Sequence, residues 1–548
     1  MRQMINRMIF LMVIFVFAAV CRVASAAPFT VSGWQIHKND EAHINRMIDL
    51  AAKHGVNHMQ LSHDIIMYIE DITKDPARAA VINRAAQRAR QKGIGIFVWS
   101  HEFNTDDMLV CLDPDSKQGR AFWKKRQDAY RKALAQTPDI AGIILSFGSS
   151  HPDPWSLMCS CSWCAKHDNA DRVSLILNKI GDVVIDEFGM TLYARTFIHT
   201  PEELDWMGQA LRNTPPRPGL AVMTKCVPQD WEPFYPHNPL IGNVGGHPQI
   251  IEMDLAGEYW GRSKLLVDLT DYLQYRMRHA RDKGAAGFVV RTERGADSLL
   301  GAPNEINLFA YEKLFDNPDA DADEIRLEFI KSHYGLDPES QDAKALLEIH
   351  KLSFDVTMKM YYVLGFWALE KGSDLTESAT FPALLRGRSI ALYDPSFEQR
   401  YQKLDNIDED TFLKIMFEKQ EAAMQSSANL DALEAIGSLK TEHARALRTV
   451  LENHERATRV WLVANGALWS AYMYKKTGQD KHREWALDFA DYLDRYAEQL
   501  PAAQYPGGPA QIAAFLSNFH KELPGAPATP DMDWPPWHKF YDPVFIHE

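Results

Sequence analysis

From Phe29 onward, short runs of apolar residues alternate with longer stretches in which apolar residues recur every three or four positions. A short apolar run bounded by turn residues reads as a buried strand, and the wider spacing as a helix with one face on a core. This predicts strands at 29–37, 56–63, 94–101, 140–147, 190–198, 220–226, 249–255 and 286–291. Helices are predicted at 41–54, 77–92, 118–136, 171–188, 201–211 and 269–283, with a Pro/Gly-rich connection after the sixth strand. Gly55, Gly93, Gly189 and Gly284 stand between a helix and the next strand, where a left-handed cap belongs. Strands that are apolar on both faces and alternate with helices pair in parallel. Eight such units in about 260 residues predict a (β/α)8 TIM barrel rather than an open doubly wound sheet. No Gly-rich phosphate fingerprint follows the first strand, so a dinucleotide fold is disfavoured.

Beyond Asn307 the strand pattern stops, and helices are predicted at 322–334, 341–369, 409–426, 429–437, 441–476 and 481–498. The expected organisation is a barrel at 27–310, an all-helical C-terminal domain at 311–523 and a Pro/Trp-rich tail at 524–548 that wraps the surface. Residues 1–26 carry Arg2 and Arg7, an apolar run at 8–20, and Ala24-Ser25-Ala26. That is the pattern of a secretory signal peptide, too short to span a membrane. A secreted or periplasmic protein is expected, with no membrane span.

The 548 residues carry 59 Lys+Arg and 73 Asp+Glu, a net charge of -14. An acidic chain without a basic cluster is a poor nucleic-acid binder. After the leader, Cys111, Cys159, Cys161, Cys164 and Cys226 remain. The plainer reading is one or two loop disulfides, with an odd cysteine left over; the alternative is a thiolate site for zinc. Neither places a cysteine in the chemistry.

In a TIM barrel the reactive face is where the strands end. Polar residues recur there: His63 and Asp64; His101 and Glu102; Ser149, Ser150, His151 and Asp153; Arg195 and His199; Lys225 and Asp230; Glu252, Asp254 and Glu258; Arg291 and Glu293. Each alone could cap a helix or pair with a neighbour, but scaffolding does not require the whole set. A charge-mixed mouth on an exported barrel points to a carbohydrate enzyme in which carboxylates divide acid and base work.

The stretch Lys225-Cys-Val-Pro-Gln-Asp230-Trp-Glu-Pro, followed by Pro248-Gln-Ile-Ile-Glu252 and Gly257-Glu258-Tyr259, resembles the α-glucuronidases of glycoside hydrolase family 67. Lys225 precedes Asp230 by 5 residues, Glu258 follows it by 28, and Arg195-Thr-Phe-Ile-His begins 35 residues before it. Asn304-Glu-Ile-Asn307, Phe315-Asp-Asn-Pro-Asp and Ala322-Asp-Glu-Ile-Arg extend the likeness into the first helices. The resemblance implies that Asp230 and Glu258 activate water while Arg195 and Lys225 hold a uronate carboxylate; a planar guanidinium suits that grip. Where the family has its acidic Glu after the fourth strand, this chain has Ser150. The proton donor is then sought among Glu102, His101, His151 and Asp153. The expected substrate-binding set is Arg195, Lys225, His101, His151, Trp231, Glu252 and Arg291. Trp34, Trp99, Trp231 and Trp260 could stack on sugar rings or simply fill the core.

The implied function is an exported, inverting glycoside hydrolase on a uronic-acid-containing poly- or oligosaccharide. It would need neither a metal ion nor an organic cofactor. A polysaccharide lyase, or a non-catalytic carbohydrate-binding barrel, is the alternative.

Overall fold

The computed structural model describes residues 29–102, 111–147, 161–198, 201–228, 231–294, 297–367, 402–501 and 506–523, together with Leu375 and Gln399. Eight parallel strands close into a barrel in sequence order: β1 (Val31–Ile36), β2 (His58–Leu61), β3 (Gly95–Glu102), β4 (Gly142–Phe147), β5 (Thr191–Thr196), β6 (Leu220–Lys225), β7 (Gln249–Asp254) and β8 (Gly287–Arg291). The ring shuts where β1 pairs with β8, Val31 opposite Gly287 and Gln35 opposite Arg291. All eight strands predicted from the apolar pattern are present. The longer helices outside them are α1 (Glu41–Lys53), α2 (Pro76–Arg90), α3 (Lys117–Gln136), α4 (Asn169–Gly181), α5 (Pro201–Asn213), α6 (Thr270–Asp282) and α7 (Ile306–Asp316), with single-turn helices at Glu70–Lys74 and Ser162–Lys166. No helix joins β6 to β7 among the described residues, in keeping with the Pro/Gly-rich connection. Gly55, Gly93, Gly189 and Gly284 all take positive φ, as the capping role requires.

Strand residues alternate between the barrel interior and the helix layer. Phe97, Trp99, Ile144, Tyr193, Ala221, Met223, Ile250 and Val289 fill the inside. Trp34, Ile36, Ile96, Val98, Ala194, Ile251 and Met253 pack outward with the helices. This parity decides which polar residues reach the mouth.

The C-terminal region is helical, with α8 (Ala322–Phe329), α9 (Gln341–Tyr361), α10 (Glu409–Ala435), α11 (Thr441–Thr477), α12 (Asp480–Ala497) and α13 (Pro509–Glu522). One apolar cluster runs from the barrel wall into this region, reaching Trp461, Trp469 and Phe515. A buried polar knot also joins them. Arg326 of α8 donates to Asp268 at 3.1 and 3.3 Å and to Asp271 at 2.6 Å, while Ser353 Oγ of α9 accepts from the Asp268 amide at 2.9 Å. Asn304 and Asn307 accept from the amides of Val267 and Leu269, fixing the same loop.

Several predicted helices differ in detail. The one expected at 341–369 stops at Tyr361, because Leu364 and Gly365 both adopt left-handed φ and turn the chain into a two-residue hairpin. The buried Lys419 amine donates to the carbonyls of Lys359 and Tyr362 there. The separate helices expected at 409–426 and 429–437 are a single α10, across whose Ser-rich join Gln425 donates to Asn429 at 3.0 Å. The helix expected at 171–188 tightens to α4 and then widens into a π-turn over Asp182–Glu187. The expected leader at 1–26 and tail at 524–548 lie outside the described residues. Among the described residues, no helix is long and apolar enough to cross a membrane.

Candidate active site

Inward-facing positions near the ends of β5, β6, β7 and β8 bring Arg195, Lys225, Glu252 and Arg291 together. Glu252 has no exposed surface. Arg195 grips it with two bonds, Nε at 2.8 Å and Nη2 at 3.2 Å, and Arg291 Nη2 stands 3.9 Å away. Burial alone would raise the Glu252 carboxyl, but Arg195, Lys225 and Arg291 outweigh it and hold the group below its ordinary range. The Arg195 fork, which the sequence assigns to a substrate carboxylate, is therefore engaged by a carboxylate of the protein.

Aromatic rings carry the cations. Arg195 lies 4.6 Å from the Trp99 ring centroid and 4.8 Å from that of Phe197. The Lys225 amine sits 3.9 Å from Phe197 and 4.2 Å from Trp231, whose other neighbour is Arg291 at 4.9 Å. Such faces stabilise desolvated cations. Trp231 is 1% exposed, so it serves as a platform for charge rather than an open stacking face. Trp34 and Trp260 belong to the packing outside the barrel interior, with His54 and Tyr272.

Glu258 completes the constellation. The turn after β7 is fixed by Asp254, whose carboxylate accepts from the amides of Ala256 at 3.0 Å and Glu258 at 2.7 Å. Burial, with help from the Glu258 charge, pushes Asp254 up to about 6. The turn presents the Glu258 carboxylate to Arg291 at 2.5 Å and Arg294 at 2.9 Å. Arg291 thus bridges the two sides of the mouth, and its Nε also donates to Gln35 of β1 at 3.3 Å.

Histidines line the opposite side. The His37 ring lies 4.5 Å from that of His63, and Trp99 lies 5.5 Å from His63 and 5.6 Å from His101. His101 Nδ1 bonds the Met67 carbonyl at 2.9 Å, and burial, aided by Arg195, lowers its imidazole to about 4. Burial and the nearby arginines likewise keep His37 well below its ordinary value. His63 is lowered too, by burial and then by His37 and the arginines, and it adopts a left-handed φ of 52° at the end of β2. Neither ring nitrogen of the buried His37 has a hydrogen-bond partner among the described residues.

Glu102 does not join this group. It follows the inward His101, so alternation turns it out toward α3, where Arg126 Nε donates to it at 2.9 Å and Nη2 at 2.5 Å. Tyr130 Oη adds a bond of 2.5 Å. Its carboxyl is raised, burial outweighing the Arg126 charge. Glu293 anchors the α1 side, reaching the His37 amide at 3.3 Å and His43 at 2.8 Å, and Asp64 is exposed. Asp230, His151, Ser149, Ser150, Asp153 and His199 lie outside the described residues. Sequence reading passed over His37, Gln35, Phe197 and Arg294. The first two carry the inward parity of β1 that Gly33 begins, and that was the available signal.

No protein-family model matches the chain, and no curated protein matches it. Among solved structures, it resembles a GH138 enzyme targeting pectin rhamnogalacturonan II, with a TM-score of 0.59 and 11% identity. That match covers 90% of this chain and 68% of the other. An O-GlcNAc hydrolase of Thermobaculum terrenum aligns over 90% of this chain and 95% of its own at 10% identity, with a TM-score of 0.46. The second is too distant for its chemistry to bear on this chain. The first shares the fold: a closed parallel barrel followed by helices.

Proposed function

We propose that the chain is an exported glycoside hydrolase acting on a uronic-acid-containing oligo- or polysaccharide by inversion. The observation that carries this reading is the cluster of Arg195, Lys225, Arg291 and Arg294 around Glu252 and Glu258 at the strand-end face. Arg291 at 2.5 Å and Arg294 at 2.9 Å hold the Glu258 side chain in place at the mouth, where a base that activates water would stand. Lys225, set against Trp231 and Phe197, supplies charge for the substrate carboxylate, and Arg291 adds to it. Asp230 shares the water with Glu258, as the likeness to family 67 implies. The barrel fold shared with a GH138 enzyme is consistent with this chemistry. Glu102 faces the helix layer and His101 is neutral near pH 7, so neither suits the proton-donor role. That role passes to His151 or Asp153, after β4.

The test is a screen of acidic oligosaccharides with the product anomer read by NMR. Release of a uronic acid with inverted configuration, lowered at least about 1,000-fold in Glu258→Gln while the fold persists, is the expected result. No release from any uronate, or full activity in that variant, would refute it.

A lyase reading is favoured by the histidines. His37, His63 and His101 are held neutral beside cations able to offset a uronate carboxylate, as abstraction of a proton next to that group requires. Ultraviolet absorbance from an unsaturated product during turnover selects this reading, because hydrolysis forms no double bond.

A further inference from the structure

Away from the constellation above, three sulfurs converge. Cys111 lies on the connection from β3 to α3, and Cys161 and Cys164 lie on the one from β4 to α4. Their Sγ atoms are all within 4.8 Å of one another, with Cys111 and Cys161 3.6 Å apart. Cys111 and Cys164 are buried.

We propose that Cys111, Cys161 and Cys164 bind a structural zinc ion. The spacing is the first argument. Two thiolates on one tetrahedral zinc, each with a Zn–S distance near 2.3 Å, stand about 3.8 Å apart, whereas bonded disulfide sulfurs stand about 2.05 Å apart. The 3.6 Å between Cys111 and Cys161 matches the former. The second argument is the backbone. The Cys164 amide donates to Cys161 Sγ at 3.4 Å, which stabilises negative charge on that sulfur. The third is the sequence: Cys161-Ser-Trp-Cys164 places two sulfurs on one turn, and a distant loop delivers the other. Each thiol gives up its proton on binding, so uptake releases protons and weakens as pH falls.

The site has a structural consequence. It ties together the loops that leave two adjacent strands, β3 and β4, which pair along Phe97–Glu102 and Gly142–Phe147. The ion would join the segments that lead into α3 and α4, through Cys111 and through Cys161 and Cys164, without touching substrate. In this proposal the three sulfurs hold a metal ion, the alternative that the sequence offered to one or two loop disulfides.

The experiment uses the full chain, purified without metal-affinity resin; peptide mapping and elemental analysis are done on protein isolated without reductant, and reductant is added only for the zinc titration. Elemental analysis is expected to give one zinc per chain. After removal of metal with a mercurial and a chelator, titration with Zn2+ against a chromophoric chelator is expected to return one equivalent at about 1 nM affinity or tighter. Cys111→Ser and Cys161→Ser are expected to lower zinc content at least tenfold, and Cys226→Ser to leave it unchanged. Because the wild-type titration does not depend on any variant folding, it decides the matter alone. Uptake below a tenth of an equivalent, iron in place of zinc, or a Cys111–Cys161 disulfide found by peptide mapping would overturn the proposal.

Discussion

Replacing Arg195 by Met tests whether that residue serves the scaffold or the substrate. In the barrel its guanidinium makes two bonds to Glu252, at 2.8 and 3.2 Å, and both side chains are shielded from water. Two unit charges at about 3 Å attract by roughly 5–6 kcal/mol at an effective dielectric of about 20. Lys225 and Arg291 remain near Glu252 after the substitution and recover part of this. Leaving one partner of a buried pair uncompensated costs about 3–5 kcal/mol, and that is the expected loss in equilibrium urea denaturation of the full chain. Glu252→Gln is expected to cost at least as much, about 3–5 kcal/mol, because Arg195, Lys225 and Arg291 lose the anion between them, although Arg195 keeps the faces of Trp99 and Phe197 and its bond to Ser146. In the double variant the two losses overlap by about 2 kcal/mol or more. The pH dependence follows from the depressed Glu252 carboxyl. Its stabilisation is complete above the unfolded value of about 4.3 and is lost as pH falls through the lower folded value. Arg195→Met flattens that acid slope. A stability change under about 0.5 kcal/mol together with a raised KM would show that Arg195 grips substrate instead, and would refute the scaffold role.

Glu102→Gln is expected to lower stability by about 1–3 kcal/mol, since Arg126 loses a buried anion, yet to leave turnover within tenfold of wild type. A drop of about 100-fold or more at unchanged stability would restore Glu102 as the acid. Asp268→Asn breaks the knot between barrel and helical region and is expected to cost about 3–5 kcal/mol, read by denaturation. Arg326 and His350 hold the Asp268 carboxyl well below its ordinary range against the opposing effect of burial. Its contribution is therefore present above the unfolded value of about 3.9 and lost as pH falls, and the variant loses that dependence.

The barrel was legible because its determinants are local. Apolar runs such as 94–99 and 140–145 have no polar face, which only a strand buried on both sides tolerates, and glycine caps set each restart. The C-terminal helices were harder where the deciding contact is distant in sequence. Nothing between Tyr361 and Leu369 forbids a helix by propensity; the hairpin is held by Glu418, which accepts from the Leu364 amide at 3.1 Å, and by Lys419 beneath it. The Ser/Asn-rich join at 426–429 reads as a break, yet packing against α9 and α11 carries α10 straight through it.

The site was legible as an inventory but not as an arrangement, and the reason is strand parity. His101 and Glu102 are adjacent in sequence and equally polar, so a list of strand-end residues cannot separate them. The structure sends one into the mouth and the other to Arg126. The same rule carries Arg195, Lys225, Glu252 and Arg291 inward, because each stands two residues beyond an interior residue: Tyr193, Met223, Ile250 and Val289 in turn. Parity does not say who pairs with whom. Glu252 could have stood beside an incoming carbohydrate, but its neighbours on β5, β6 and β8 are all cations, and three positive side chains in a dry interior demand an internal anion. Glu252 meets that demand, which leaves Glu258, one turn further out and 12% exposed, as the carboxylate able to meet a ligand. The proposed division of labour between the two glutamates thus follows from depth: the inner one balances charge, and the outer one is the carboxylate we propose for the chemistry.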